Sequence, residues 1–539
     1  MGSHRRRGPI VVDRTGLAGC RAARFKASGS LTFALALVVL SGCTTFSDYV
    51  HDNFKVGPKY ARPPAPVAEH WIETADQRVR QDNGEINEWW TVLHDPVLND
   101  LIQSAYRQNL TLREAGFRIL EARATRAIAV GEIFPQTQVS NGGYSSTGVS
   151  ENVANRIATP ERWFSNWSYG FGMAWELDFW GRFRRAVDAA DAELNASVEG
   201  YDDVLVTLLA DVGTNYVEIR TLDRRLELAR ANVQLFTQIL AIPEARFKAD
   251  EKNRVPWDLA RANLAQAEAL VPQLEIARRQ AENRLCILLG LPPRDLQQQL
   301  GHAPIPSPPL AVAVGIPADL LRRRPDVRRA EREAAAQSAR IGIAEADFYP
   351  QISLVGTFGW SSEEITNLFD EKSFHGTVGP GFQWNVLNYG RILNNVRLQD
   401  ARFQELVTRY QQTVLNAGGD VENALVTFLK SQERARALAA SADAWRDGTM
   451  LLIAQYRGEL IDFVPVGYFE QNLILQQDEA AQAQGEVPQA LIAVYRALGG
   501  GWQIRTQPAG AVAATGAAGQ SPPKPPGGAP ADVPLLPKP

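Results

Sequence analysis

A chain of 539 residues, 45% apolar and 22% charged, folds and has room for more than one domain. Its net charge of -4 gives no electrostatic basis for binding nucleic acid. The 6 histidines are scattered, no Cys/His cluster has metal-ligand spacing, and no phosphate-binding glycine loop occurs. Enzyme chemistry is therefore not expected, nor is a cofactor or metal.

Residues 1–42 read as a signal peptide. Arg5, Arg6, Arg7, Arg14, Arg21, Arg24 and Lys26 form a basic region, and the apolar run from Leu31 to Leu40 is too short to span a bilayer as a helix. Leu40-Ser41-Gly42-Cys43 then resembles a bacterial lipobox, which predicts a covalent lipid on Cys43. Leu17-Ala18-Gly19-Cys20 is an equal tetrapeptide, but Asp13 and Arg14 stand where an apolar run should precede it. Thr44, rather than an Asp that would retain a lipoprotein at the inner membrane, favours the outer membrane. Cys286 remains after cleavage and is expected as a small buried side chain outside any disulfide. Residues 43–94, Pro-rich from Gly57 to Pro66, form the anchor and an extended lead-in.

From residue 95 the chain is written twice. Phe134-Pro135-Gln136 returns as Tyr349-Pro350-Gln351, and Gly181-Arg182 returns as Gly390-Arg391. An offset of 209 pairs Trp175 with Trp384, Pro256 with Pro465 and Gly290 with Gly499, while upstream Ala115, Ala124 and Pro135 match Ala330, Ala339 and Pro350 at 215. Units of this size are duplicated half-subunits rather than solenoid repeats of about 50 residues or fewer. The two copies are placed at 95–300 and 317–502.

Each copy contains a hairpin, at 136–178 and 351–387. Ile352, Leu354, Phe358 and Trp360 alternate with Gln351, Ser353, Thr357 and Ser361, and Trp163, Trp167, Tyr169, Phe171, Met173 and Trp175 oppose Asn166, Ser168, Gly170, Gly172 and Glu176. The strand from Thr137 to Thr147 is weakly patterned. Strands of about 10 residues with this alternation suit an outer-membrane barrel, although a soluble sandwich shows the same period of two. A sheet in hydrocarbon must close, and closure takes at least about eight strands, so four per chain cannot suffice. Three chains would supply about twelve strands and a water-filled lumen. No other segment is apolar enough for a membrane helix.

The stretches Phe183 to about Asp250 and Arg391 to about Gly458 predict helices on the order of 100 Å long at 1.5 Å per residue. Shorter helices follow at Trp257 to Leu289 and Val466 to Leu498, restarting near Pro256 and Pro465, and two more, Leu112 to Phe134 and Val327 to Phe348, lead into the strands. The short helices are expected to stack end to end beside the long ones, with kinks at Pro243 and Pro272. The fold class is thus mainly α with membrane β, forming a trimeric 12-strand barrel continued by long antiparallel helices. Residues 301–316 read as a Pro-rich connector and 503–539 as a disordered tail. Arg322-Arg323-Arg324 suits either an anion site or, preferably, a helix-cap turn with salt bridges at a subunit interface.

On these residues the chain resembles the TolC-like outer-membrane efflux factor family, in its NodT-type lipoprotein branch. The matching motifs are Gly57-Pro58-Lys59-Tyr60, Trp89-Trp90 with Asp95-Pro96, Leu321 to Val327, Phe348-Tyr349-Pro350, Asn388-Tyr389-Gly390-Arg391, and Tyr495 to Trp502. The resemblance implies a homotrimer in outer-membrane lipid with a helical barrel across the periplasm. It also implies docking to a periplasmic adaptor and an inner-membrane pump of the RND type. The candidate docking tips are Arg246, Phe247 and Lys248 in the first copy and Tyr456, Arg457 and Gly458 in the second. They depart from the family: Asp250 stands where Gly is usual, the stretch from Arg246 to Ala262 is about two residues longer, and Gly458 comes one residue early. Asp443 and Asp447, one turn apart near the second tip, are the candidate periplasmic gate, their alternative being a solvated helix face. The leading function is a passive efflux duct. Export of protein or polysaccharide is the transport alternative, and a lipid-anchored structural coiled coil the non-transport one.

Overall fold

The computed structural model describes residues 46–82, 86–152, 154, 161–249 and 253–506. The lipobox at Cys43, the alternative at Cys20, Asp250 and most of the tail lie outside them. The long helices are α1 (Pro96–Gln108), α2 (Leu110–Gly131), α3 (Arg182–Lys248), α4 (Val255–Leu288), α5 (Pro325–Ala346), α6 (Arg391–Arg457) and α7 (Phe463–Ala497). The strands are β1 (Val79–Arg80), β2 (Thr137–Gly148), β3 (Trp163–Leu177), β4 (Val312–Ala313), β5 (Gln351–Ser362) and β6 (Phe374–Gln383). The duplication holds at the helix ends: α3 and α6 both have 67 residues, and α2 and α5 both have 22.

Capping explains where these helices start. The Asp178 carboxylate accepts from the Phe183 and Arg184 amides at 3.0 Å, while Gly181 adopts φ 81°, a conformation that costs an L side chain roughly 1–2 kcal/mol. Gly390 repeats the conformation at φ 79° ahead of α6. α4 starts with Pro256 in its first turn, where the missing N–H costs nothing. Pro243 and Pro272 lie inside uninterrupted helices, as does Pro488 in α7.

The short helices do stack on one another. Asn109 caps α2 by accepting from the Leu112 amide at 2.8 Å, and its Nδ2 donates to the Leu288 carbonyl of α4 at 2.8 Å. In the second copy Arg324, just before α5, donates to the Ala497 carbonyl of α7 at 3.1 Å. Four columns result, in the order α2 with α4, then α3, then α5 with α7, then α6. The membrane-type sheet has the matching order β2-β3-β5-β6, antiparallel throughout, so each strand continues its own column. β2 and β6 are edge strands, and they belong to the two outer columns.

A belt surrounds the columns at the level of the two joints. β1 from the lead-in pairs in parallel with β4 from the connector, so this connector holds a short strand as well as a Pro-rich extended chain. Trp71 Nε1 donates to the Gly315 carbonyl at 3.0 Å, and Trp89, 1% exposed, stacks on Tyr495. The last described turn, Trp502–Thr506, packs on α3 through Arg505, whose Nε reaches Asp202 Oδ1 at 2.8 Å. Residues 503–506 therefore belong to the folded belt, not to the tail, because a buried carboxylate needs that guanidinium. One large apolar cluster fills the belt, and a second, around Phe236, Tyr456 and Phe463, lies near the tips.

Candidate functional site

The two central strands of the four-stranded sheet separate their side chains by chemistry. In the β3–β5 register Tyr169 faces Trp360 and Phe171 faces Phe358, with the latter rings stacked at 5.1 Å. Tyr144 of β2 joins them through Trp167 at 4.6 Å. Phe358 is 49% exposed and Phe382 of β6 is 76% exposed. Alternate positions put Ser168, Gly170 and Gly172 opposite Ser361, Gly359 and Thr357 on the other face. In β3 and β5 one face is therefore aromatic and the other mainly small and polar, the division an outer-membrane strand needs, whereas β2 puts Gln138 and Ser140 on the aromatic face and Val139 on the other. At the junctions with the helices, Trp175, Trp180 and Trp384 each donate Nε1–H to a carbonyl, that of Ile133, Pro350 or Phe348, at 2.8–3.0 Å. Indoles with one polar and one apolar side suit a membrane interface.

At the opposite end the two hairpin tips of one chain touch. The Arg246 guanidinium lies over the Tyr456 ring at 4.7 Å, donates to the Tyr456 carbonyl at 3.4 Å and pairs with Glu459 at 3.5 Å. Phe247 stacks on Trp257 at 5.1 Å, with Arg254 and Arg261 each 5.1 Å from the indole. Lys248 pairs with Glu244 at 2.6 Å. Tyr456 is 3% exposed, so of the six tip candidates it is a packing residue and offers a partner almost no surface. Gly458 has φ −83°, and the left-handed conformation falls on Glu459 at φ 58°. The turn therefore takes its positive φ one residue after the glycine.

Asp443 and Asp447 are exposed on α6, and Arg446 joins them, 3.0 Å from Asp443 and 3.3 Å from Asp447. The pair is thus a carboxylate–guanidinium–carboxylate triad with one net negative charge. Residue types at i, i+3 and i+4 carried that signal in the sequence. Asp443 and Arg446 also line a shallow groove of about 340 Å³ between α3, α6 and α7, walled by Ala435, Ala439 and Ala480.

Of the arginine triplet, Arg324 makes contacts that join several helices. It holds Asp326 at 2.7 Å, Asp420 of α6 at 3.1 Å and the end of α7, all within this chain. These salt bridges are thus internal to one chain rather than at a subunit interface, and Arg323 likewise pairs with Asp319 of its own chain at 3.3 Å. Cys286 is fully buried and free of disulfides. Among the described residues no helix is long and apolar enough to cross a membrane, and no group of three His, Cys, Asp or Glu side chains could hold a metal ion.

A membrane-type sheet continued by helical columns, with tips at the far end, defines a subunit of a membrane conduit. The family model described as outer membrane efflux protein matches residues 101–291 and 316–500, and the chain belongs to that family. Nodulation protein T of Rhizobium leguminosarum bv. trifolii is 28% identical over 474 residues, covering 86% of this chain and 96% of the relative. Outer membrane protein OprJ of Pseudomonas aeruginosa is 30% identical over 452 residues, covering 83% and 93%. Among solved structures the outer-membrane channel OprN superposes with a TM-score of 0.77 at 30% identity, over 83% of this chain and 99% of that one. The chain is an outer-membrane efflux channel protein, a passive duct.

Proposed function

We propose that three copies of the chain close one pore, which carries small molecules outward for an inner-membrane pump joined to it by a periplasmic adaptor. The observation that carries this reading is the pair of open edges: β2 and β6 end the sheet. In hydrocarbon the free N–H and C=O groups along such edges each cost several kcal/mol, and pairing β6 with the next chain's β2 satisfies them. Three such sheets give about twelve strands, whose lumen stays open where about eight would fill with side chains. The small, polar face would then line the lumen and the aromatic face would meet lipid.

Energy comes from partners in this reading, and the chain's own contribution is a passage and a gate. Three copies would set three Asp443–Arg446–Asp447 triads around the periplasmic end. Their net charge favours cations less strongly than bare carboxylates would. The lipid on Cys43 would tether the lead-in to the same membrane.

The deciding experiment measures subunit mass and planar-bilayer conductance on the same detergent-purified protein. A trimer that conducts supports the duct, and a non-conducting elongated monomer or dimer sinks it. Fatty-acid labelling that disappears in Cys43→Ser would support the anchor, and retained labelling would move it to Cys20.

A further inference from the structure

Near the tips, where α4 meets α7, a carboxyl group is buried with one neutral donor. Glu470 is 1% exposed and Asn263 is 4% exposed. Asn263 Nδ2 donates to Glu470 Oε2 at 3.1 Å and to the Gly467 carbonyl at 2.9 Å. Glu470 Oε1 is buried without a hydrogen-bond partner. The second apolar cluster occupies this level, with Phe236 of α3, Ala260 and Ala267 of α4, and Val466 and Ile474 of α7. The helices approach closely here: a Cβ on Gly467 would lie 2.6 Å from Leu259 Cδ2.

Among the described residues, no charge on the surrounding elements compensates the group. Asp258, Arg261 and Glu268 of α4 are exposed, as are Asp443, Arg446 and Asp447 of α6. On α3, Arg230 pairs with Glu275 and Glu244 with Lys248, and on α7 itself Asp478 pairs with Arg225. Burial pushes the Glu470 carboxyl up from 4.5 to about 7, against the hydrogen bond from Asn263, which lowers it.

We propose that Glu470 and Asn263 form a proton-operated clasp between the two helical hairpins of one subunit, closed while the carboxyl is neutral and loosened when it ionises. The sign follows from linkage. A carboxyl whose folded value lies above its unfolded one holds a proton preferentially in the folded state. Its stabilisation is complete below about pH 4.5 and is lost as pH rises through about 7. Any effect on the pore rests on the duct reading above, but the clasp itself is a property of the tip's packing.

The test is amide hydrogen exchange of residues 258–270 and 463–475 in the full-length protein at pH 5.5 and 8.5, corrected for intrinsic exchange rates. The wild-type local opening constant should rise on the order of tenfold or more between the two. Glu470→Gln, which keeps the shape and removes the charge, should stay flat, and so should Glu470→Met, which serves if the glutamine variant does not fold. A Gln or Met variant with the wild-type pH response, or a wild type that does not respond, overturns the clasp. Bilayer conductance of the same samples reports separately: none at any pH counts against the duct, while exchange still decides the clasp.

Discussion

Gly485 of α7 lies directly against Thr221 of α3: a Cβ on the glycine would fall 2.0 Å from the threonine Oγ1. Thr221 Oγ1 also donates to the Val217 carbonyl at 2.8 Å, so the hydroxyl cannot turn away without losing that bond. Here the second and third columns come together closely, across the junction between the two copies.

Gly485→Ala should therefore destabilise the protein by about 1–3 kcal/mol, the range for overpacking a tight contact. Thr221→Ala removes the two nearest atoms, Oγ1 and Cγ2. The double variant should recover part of the loss, because the Cβ of residue 221 stays 2.9 Å from the new methyl. Thermal unfolding midpoints in detergent give all three values, and a Gly485→Ala protein as stable as wild type would refute the tight seat.

The second tip carries removable backbone strain. Glu459 sits at φ 58°, a conformation that costs a non-glycine residue roughly 1–2 kcal/mol, and its contact with Arg246 is highly exposed and worth little. Glu459→Gly should stabilise the tip by up to about 1 kcal/mol once glycine's own entropy is counted. Gly458→Ala should be close to neutral, because φ is −83° and the nearest contacts of a Cβ are 3.6 Å away. Denaturant midpoints should rank Glu459→Gly highest of the three proteins; the reverse order would place the left-handed residue elsewhere.

Arg324 and Arg322 should differ sharply despite being two residues apart. Arg324 joins α5, α6 and α7 at the belt, whereas the Arg322 residue is exposed. Arg324→Ala should cost about 1–3 kcal/mol, because Asp326 and the Ala497 carbonyl lose a partner while the half-exposed Asp420 is resolvated. Arg324→Lys should restore little, since a lysine lacks the planar fork. Arg322→Ala should fall within about 0.5 kcal/mol of wild type. Equal losses at both positions would argue against the clasp assigned to Arg324.

The acidic triad on α6 makes a prediction about conduction. Arg446→Ala leaves Asp443 and Asp447 without their shared cation and should increase block by divalent cations in planar bilayers. Asp443→Ala with Asp447→Ala should reduce that block below wild type. If conductance and block are the same in all three proteins, the gate lies elsewhere along the columns.

Much of this architecture is local and was open to reading in the sequence. Alternation over Gln351 to Ser361 predicted β5, and an offset of 209 between the copies reappears at both ends of α3 and α6, at Arg182 with Arg391 and Lys248 with Arg457. Each such signal comes from neighbours within one strand or a few turns of helix, where covalent spacing dictates which side chains share a face. Other features were hidden because they depend on segments far apart in the chain. Tyr456 reads in the sequence as a surface docking residue, but Arg246 and Phe463, distant or across a turn, pack against it. Asn263 and Glu470 carry no common motif, and 207 residues separate them. Arg505 belongs to the belt only because Asp202 lies beneath it.

The sequence by itself determined the repeat, the alternation of β3 and β5, the reach of the long helices and the need for strands from further chains, since spacing and composition need no partner to be expressed. Only the tertiary structure decided which columns adjoin and where one chain presses on itself. Those choices follow from side-chain volumes and unpaired polar groups meeting across distant segments, as at Gly485 and Thr221.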